Sequence, residues 1–450
     1  ESFWDKCRNT SNFLKLRASY GLTGNNGIGL YDAYGAYSTS SLYDGSSVTV
    51  ASSMQNKDLT WERTSQLDLG FDVNFLNDRI RVTGDYYNKR TRDMLFNVTL
   101  PDTGSFDSVM ANVGSARFYG FELALHTVNI ERKDFYWGTD ITWSFNKNKV
   151  ISLDDSYKYK NLDGKDAWRI GGYTMTQTGE KFGGIAVGEP LGRIYGYVID
   201  HIITSQEDAD NAYYDALSKG YRREDGKRVP GRKAVGDYEW VNRPGSALTA
   251  TGEEMINAED MFELGNVLPK HTGGINNTIK YKRLTFNLYC DFALGHSIVN
   301  YMKSRVFMNT YGTCNGNILR DVKDCWEPGK SDYKYARFLP NDCDYGNSNF
   351  QRISDFCVEK GDYLCIRDVS ISYDLPEKWI RGLKLQKLTV GVSGNTLAYV
   401  DNVTGTISPE IGIGASSSGS WFSAVNTSDN VNANIAPAAR KILFNVKLTF

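Results

Sequence analysis

The feature that most constrains this chain is an alternation of apolar and polar residues that persists for about ten residues at a time, roughly twice an ordinary strand. In Gln66 to Phe75, Leu67, Leu69, Phe71, Val73 and Phe75 alternate with Gln66, Asp68, Gly70, Asp72 and Asn74. Leu76 to Arg79 then reads as a tight turn into Ile80 to Tyr87, where Ile80, Val82 and Tyr86 oppose Arg81, Thr83 and Asp85. Phe135 to Asn146 and the terminal stretch Ile442 to Phe450 repeat the pattern. A tilted strand of about ten residues spans the hydrocarbon of a bilayer. The alternation therefore assigns Leu67, Leu69, Phe71, Val73, Ile442, Phe444, Val446 and Leu448 to lipid, and Asp68, Asp72, Asn445 and Lys447 to a lumen.

Composition supports strands. The chain is 13% aromatic, with 28 Tyr, 21 Phe and 9 Trp but only 10 Pro, and aromatic residues suit pleated, half-buried surfaces. A mean hydropathy of -0.43 and the absence of any run of about 18 apolar residues exclude a helical membrane protein. They do not exclude a barrel, whose strands average out lipid-facing and lumen-facing residues. A formal charge of -2, from 51 basic and 53 acidic residues, gives no footprint for nucleic acid.

Spacing separates a membrane barrel from the alternative, a soluble β-sandwich or solenoid. Short turns near 76–79, 130–134, 281–283 and 375–382 alternate with long polar stretches at 39–59, 89–113, 147–270, 294–360 and 400–438. Outer-membrane barrels have this asymmetry, with short periplasmic turns and long external loops. The reading is all-β: a transmembrane antiparallel β-barrel with long extracellular loops. Eleven crossings are expected, at about 13–23, 30–38, 64–76, 79–89, 114–129, 135–146, 272–281, 283–293, 362–374, 383–395 and 440–450.

Several stretches also resemble the TonB-dependent outer-membrane transporters of the SusC/RagA type. These are LKLRASYGLTGN (14–25), NKDLTWERTSQLDLGFD (56–72), DYYNKRTRDML (85–95), ANVGSARFYGFEL (111–123), VGEPLGRIYGY (187–197), LGNVLPKHTGGI (264–275), GDYLCIRDVSISYDLP (361–376) and the terminal KILFNVKLTF. The resemblance covers nearly the whole chain. It implies a 22-stranded barrel of which residues 1–450 supply the C-terminal half, with the first crossing running toward the periplasm as the twelfth strand. The plug domain that contacts the TonB complex, and the N-terminal half of the barrel, have no counterpart here. Because the chain begins at Glu1 without a Met or a signal peptide, they are expected upstream. An open half-barrel would leave backbone groups unpaired in lipid. The resemblance further implies an outer-membrane location in a Gram-negative bacterium of the Bacteroidota, and a surface lipoprotein partner resembling SusD.

Candidate site residues lie in the expected external loops. Trp168, Trp240, Tyr311, Trp326, Trp421 and Phe422 are candidates to stack on sugars or hold peptide side chains, or else to pack the loops themselves. Cys314, Cys325, Cys343 and Cys357 share one loop in an oxidising compartment and are disulfide candidates with three possible connectivities. Cys290 falls on an apolar face with Leu284, Phe286, Leu288 and Phe292. Phe450, ending an alternating strand on an aromatic as the family does, is the expected barrel-assembly signal. Gly236-Asp237 stands where family members carry a loop of calcium-binding appearance, but Tyr238 to Pro244 lack the clustered carboxylates that a hard cation needs. No metal or cofactor is expected. Gly24 to Gly29 reads as a turn, since a phosphate loop needs a Lys and a following helix.

Three function classes follow. The first is TonB-dependent import of an oligomeric glycan or peptide, without covalent chemistry in this chain. The others are a surface hydrolase, for which no paired carboxylates stand out, and a glycan-binding adhesin on a structural barrel. Residues 147–270 are expected to form an external elaboration that meets the lipoprotein. Within it, Ile194 to Ile203 looks strand-forming and Ala209 to Lys219 suits a short helix.

Overall fold

Backbone pairing follows the alternation. In a computed structural model, ten strands form one antiparallel sheet in which each strand pairs with the next. They are β1 (Ser11–Asn25), β2 (Glu62–Phe75), β3 (Ile80–Thr99), β4 (Ser108–Arg132), β5 (Phe135–Leu153), β6 (His271–Tyr281), β7 (Leu284–Leu294), β8 (Tyr363–Asp374), β9 (Lys387–Asp401) and β10 (Lys441–Thr449). The structure describes residues 11–25, 33–43, 46–99, 108–218, 220–222, 227–300, 303, 320–338, 349–350, 352–383, 385–404, 408–410 and 439–449. Among these no helix is long and apolar enough to cross a membrane.

Register keeps the two faces apart. One row runs Leu16, Phe71, Gly84, Leu123, Trp143, Gly273, Phe292, Leu364 and Val400, each opposite the next across β1 to β9. The adjacent row runs Arg17, Gly70, Asp85, Glu122, Ser144, Thr272, Ala293, Tyr363 and Asp401. A one-residue slip would exchange these faces, so the register is strongly specified. Leu67, Leu69, Phe71, Ile442, Phe444, Val446 and Leu448 are exposed on the apolar face. Cys290 lies on that face opposite Ile275. Gly84 belongs there for a local reason: a Cβ at this position would lie 2.5 Å from the Phe71 ring.

Three expectations are corrected. The stretch 30–38 is not a crossing, since β1 pairs along its length with β2 and leaves no place between them. Ala36–Tyr43 instead pairs with Ser46–Ser53 as a separate hairpin, while 26–32 lie outside the described residues. With ten sheet strands rather than eleven among the described residues, β1 and β10 run in opposite directions, and β1 heads toward the long connections rather than away from them. Secondly, within the expected loop 89–113, residues 89–99 and 108–113 are strand, while 100–107 lie outside the described residues. The β3–β4 ladder continues to Thr99 and Ser108 through irregularities near Met94. At about 3.3 Å per residue, the 25 residues of β4 far exceed the roughly 30 Å of hydrocarbon. The overshoot buries apolar surface against protein: Met94, Phe96, Val113, Ala116, Val150 and Leu153 pack with Leu191, and Trp168, Ile170 and Ile185 close over them. Thirdly, the short helix in 147–270 spans Gln206–Asn211, not 209–219, because the Ser205 side chain accepts from the Asp208 N–H and fixes its start. Arg193–Gly196 and Ile199–Ile202 are strands.

The connections after β5 and β7 share one core. Tyr197, Tyr238, Trp240 and Ile256 from the first pack with Cys325, Tyr335, Ala336, Phe350, Phe356 and Cys357 from the second. Their short strands come from distant parts of the chain, such as Arg193–Gly196 with Phe262–Asn266 and Ile199–Ile202 with Tyr238–Trp240.

The face assignment makes a direct prediction. Leu69→Arg places a guanidinium on the apolar face, at a cost of about 2–4 kcal/mol at the bilayer midplane, whereas Asp68→Arg stays on the polar face. Outer-membrane levels and heat-modifiable mobility of the full-length protein should fall for Leu69→Arg and hold for Asp68→Arg. Equal yields would reject the register.

Candidate functional site

The polar face carries two charge clusters with a hydroxyl-lined stretch between them. On β1, the Arg17 guanidinium reaches the next two strands of the sheet: Nε donates to Asp72 Oδ2 on β2 at 3.0 Å and Nη1 lies 2.8 Å from Asp85 Oδ1 on β3. Thr83 Oγ1 donates to Asp72 Oδ1 at 3.0 Å. Beyond Asp85, a depression of about 260 Å³ is lined by Thr83, Asp85, Glu122, Thr142, Ser144 and Thr272 together with Leu123, Ala124, Trp143 and Gly273, contributed by β3 to β6. Asp85 and Glu122 stand directly opposite each other on adjacent strands. Such like-charged neighbours disfavour the pair unless a counter-charge is shared, and Arg17 supplies one at Asp85.

The second cluster depends on a bulge in β8. Cys290 pairs with Ile366 but Tyr289 pairs with Asp368, so Arg367 is the extra residue. Bulges re-aim side chains. Here both Arg367 and Asp368 reach the polar face: Arg367 holds Asp291 bidentately, Nε to Oδ1 at 2.7 Å and Nη2 to Oδ2 at 2.8 Å, and Asn395 donates to Asp368. Arg367 also pairs with Glu410, from the connection after β9, whose Oε1 accepts from Tyr399 Oη at 3.3 Å. That connection is held a second time where Asn300 and the Thr404 N–H donate to Glu359, at 2.9 and 3.0 Å.

Three of the aromatic candidates belong to loop packing. Trp240 is fully buried, flanked by Tyr197 and Tyr238 with the Arg352 guanidinium 4.8 Å from its ring. A ligand cannot stack on it without opening the core. Trp168 packs on the overshooting strands, donating to Asp155 Oδ1 at 3.0 Å with Lys158 over its ring. Trp326 lies so close to Gly236 that a Cβ there would meet its Cε3 at 2.3 Å, and Gly236 has φ +95°. Tyr311, Trp421, Phe422 and Phe450 lie outside the described residues.

Among the cysteines, Cys325 is a buried thiol, pushed up to about 12 by burial, and Cys357 is buried in the same core. Cys314 and Cys343 lie outside the described residues. Asp237 is fully buried, and its carboxylate accepts from Arg337 at 2.7 and 3.0 Å, from Asn349 at 3.0 Å and from the Ala234 N–H at 2.8 Å. A guanidinium therefore occupies the side of this acid that a cation would need.

The joined loops are stitched by further buried charges. Asp215 pairs with Arg352 at 2.9 Å. Lys233 pairs with Glu239, whose carboxyl is pushed up by burial against the pull of that lysine. Sequence reading missed Arg17, Asp85, Asp291, Arg367 and Glu410. The available signal was parity, which puts Arg17 on the polar face of LKLRASYG; the bulge hides the same signal at Arg367.

Comparison with known proteins agrees with this architecture. A family model described as TonB-dependent receptor-like β-barrel matches residues 8–403. A TonB-dependent receptor of Formosa agariphila is 28% identical over 403 residues, covering 88% of this chain and 36% of the relative. The TonB-dependent receptor SusC of Bacteroides thetaiotaomicron is 26% identical over 405 residues, covering 86% of this chain and 34% of the relative. The chain thus spans about a third of these relatives. The RagAB peptide transporter superposes with a TM-score of 0.68 at 21% identity, covering 98% of this chain and 41% of that one; this likeness establishes the fold. These relatives are named as receptors and a transporter.

Breaking a buried pair by removing one partner costs about 3–5 kcal/mol, because the other charge is stranded. Arg337→Met should therefore open the loop unit to limited proteolysis in the 206–240 region at lower temperature. Adding Asp237→Asn should recover part of the loss; no recovery would mean that Arg337 acts through packing alone.

Proposed function

We propose that this chain, which belongs to the TonB-dependent receptor β-barrel family, forms the C-terminal strands of an outer-membrane importer for oligomeric glycans or peptides. The observation that carries this reading is the polar face: charged and hydroxyl groups follow one another across adjacent strands, opposite an apolar belt suited to lipid. Such a wall offers hydrogen bonds to a polar substrate throughout its passage. The ten sheet strands among the described residues take the last ten places of a 22-stranded barrel, and β1, as the thirteenth, runs outward. The earlier strands close the sheet, and an upstream plug receives the TonB complex. The matched organisms favour a source in the Bacteroidota.

The joined loops after β5 and β7 are proposed as the extracellular surface that meets a lipoprotein resembling SusD. Leu162, Leu217 and Leu248 are exposed there and available for a partner. Of the aromatic candidates, Tyr311, Trp421 and Phe422 remain proposed substrate contacts. Phe450 is retained as the assembly signal. The disulfide proposal passes to pairs that include Cys314 or Cys343, since the Cys325 thiol is unbridged.

Two measurements test the reading. Uptake of the cognate oligomer by cells should be lost when TonB is deleted, while surface binding remains; uptake indifferent to TonB would favour a passive adhesin or pore. Leu217→Glu with Leu248→Glu should reduce co-purification with a tagged lipoprotein at least about tenfold, the scale of losing interface anchors, without lowering barrel levels. Undiminished co-purification would remove this face as the contact.

A further inference from the structure

The short-turn end of the sheet is chemically unlike the rest of the molecule. The chain as a whole carries a formal charge of -2, yet the tips joining β4 to β5, β6 to β7 and β8 to β9 read Arg-Lys-Asp, Lys-Arg and Leu-Pro-Glu-Lys-Trp-Ile-Arg. Lys133, Lys282, Lys378 and Arg381 are all exposed at these tips. Some rim cations are engaged: Arg79 donates to the Val128 and Asn129 carbonyls, and Arg283 to the Leu375 carbonyl at 3.0 Å. Lys133, Lys378 and Arg381 make no such link among the described residues, and Lys282 lies over the Tyr281 ring at 5.4 Å.

Apolar side chains crowd the same rim. Trp379, on the short helix Glu377–Ile380, is 63% exposed while its neighbour Ile380 is buried. Leu76 and Tyr281, at two other tips, are 59% and 53% exposed, and Tyr373 leads from this rim into the apolar belt, opposite Leu284 and Val390. An exposed indole beside unpaired cations, at the end of a lipid-facing belt, suits a bilayer interface, where aromatic rings sit at headgroup level. Anionic surfaces attract such basic clusters.

We propose that this rim binds the anionic phosphate headgroups of the leaflet it faces, with Lys133, Lys282, Lys378 and Arg381 as charge contacts and Trp379 as the interfacial anchor. Continuity with the lipid-facing belt and charge complementarity select a lipid surface over a soluble partner. The inference rests on the barrel fold and not on the identity of the transported substrate.

The test uses the full-length protein reconstituted in phosphatidylcholine vesicles in which a fixed fraction of the lipid is brominated, either as phosphatidylglycerol or as phosphatidylcholine. Bromine quenches tryptophan on contact, and subtracting a Trp379→Phe variant isolates the one indole. Brominated phosphatidylglycerol should quench the Trp379 component at least about twofold more than brominated phosphatidylcholine, as expected for enrichment at a basic cluster. A variant with all four cations changed to Gln should keep the quenching but lose the preference, with heat-modifiable mobility reporting that both proteins are folded. Equal quenching by the two lipids in the unaltered protein would overturn the headgroup contact. Quenching by neither, with Trp379 open to aqueous acrylamide, would overturn the lipid assignment and leave the rim to a soluble partner.

Discussion

In hydrocarbon there is no water to satisfy a backbone N–H or C=O, so a chain that crosses a bilayer as strands must pair every strand on both sides. Everything else in this structure follows from that requirement. It makes the ten strands pair in chain order. It also makes the outer edges of β1 and β10 intolerable in lipid unless further strands meet them, and a chain spanning about a third of its relatives' length leaves room for those strands. Because pairing uses the backbone, the side chains are free to set the two faces, and the period of two keeps Leu69 and Asp68 on opposite sides without further design.

What the sequence revealed follows the same division. Inside the membrane one face must be apolar, so the pattern of Gln66 to Phe75 is legible by eye. Beyond it the constraint disappears, and β3 and β4 continue to Thr99 and Ser108 without a lipid-facing stripe, which is why residues 89–113 read as a loop. The hairpin Ala36–Tyr43 misled in the opposite direction, since its short alternation is that of an ordinary strand. The loop unit was least legible. Its strands of two to five residues are held by contacts between positions as far apart as Tyr238 and Asn349, whose Oδ1 accepts from the Tyr238 N–H at 3.0 Å. Trp240 stayed open between ligand stacking and loop packing because nothing local in the sequence marks it as the centre of a core.

The site was legible as a face but not as clusters. Parity alone puts Arg17, Asp72 and Asp85 in the lumen; that one guanidinium joins all three strands depends on a register linking residues 68 positions apart. At Arg367 even parity fails, because the bulge shifts the phase between Ile366 and Asp368. The consequence is functional geometry: two consecutive charged residues in the middle of β8 share the polar face, and one of them holds Glu410 from the last long connection. The wall and the external loops are thereby linked by charge as well as by the packing of Trp168 and Leu191 on the overshooting strands.

The central claim is that Gln66 to Phe75 crosses a bilayer with its two faces in different solvents. Nitroxide labels placed singly from position 66 to 75 of the full-length protein in native outer membranes report this directly, through collisions with oxygen, which concentrates in lipid, and with a nickel chelate, which stays in water. The account predicts that both accessibilities oscillate with a period of two and in opposite phase, oxygen highest at 67, 69, 71 and 73 and nickel highest at 68, 70 and 72. Oscillation in phase, or none, would contradict it.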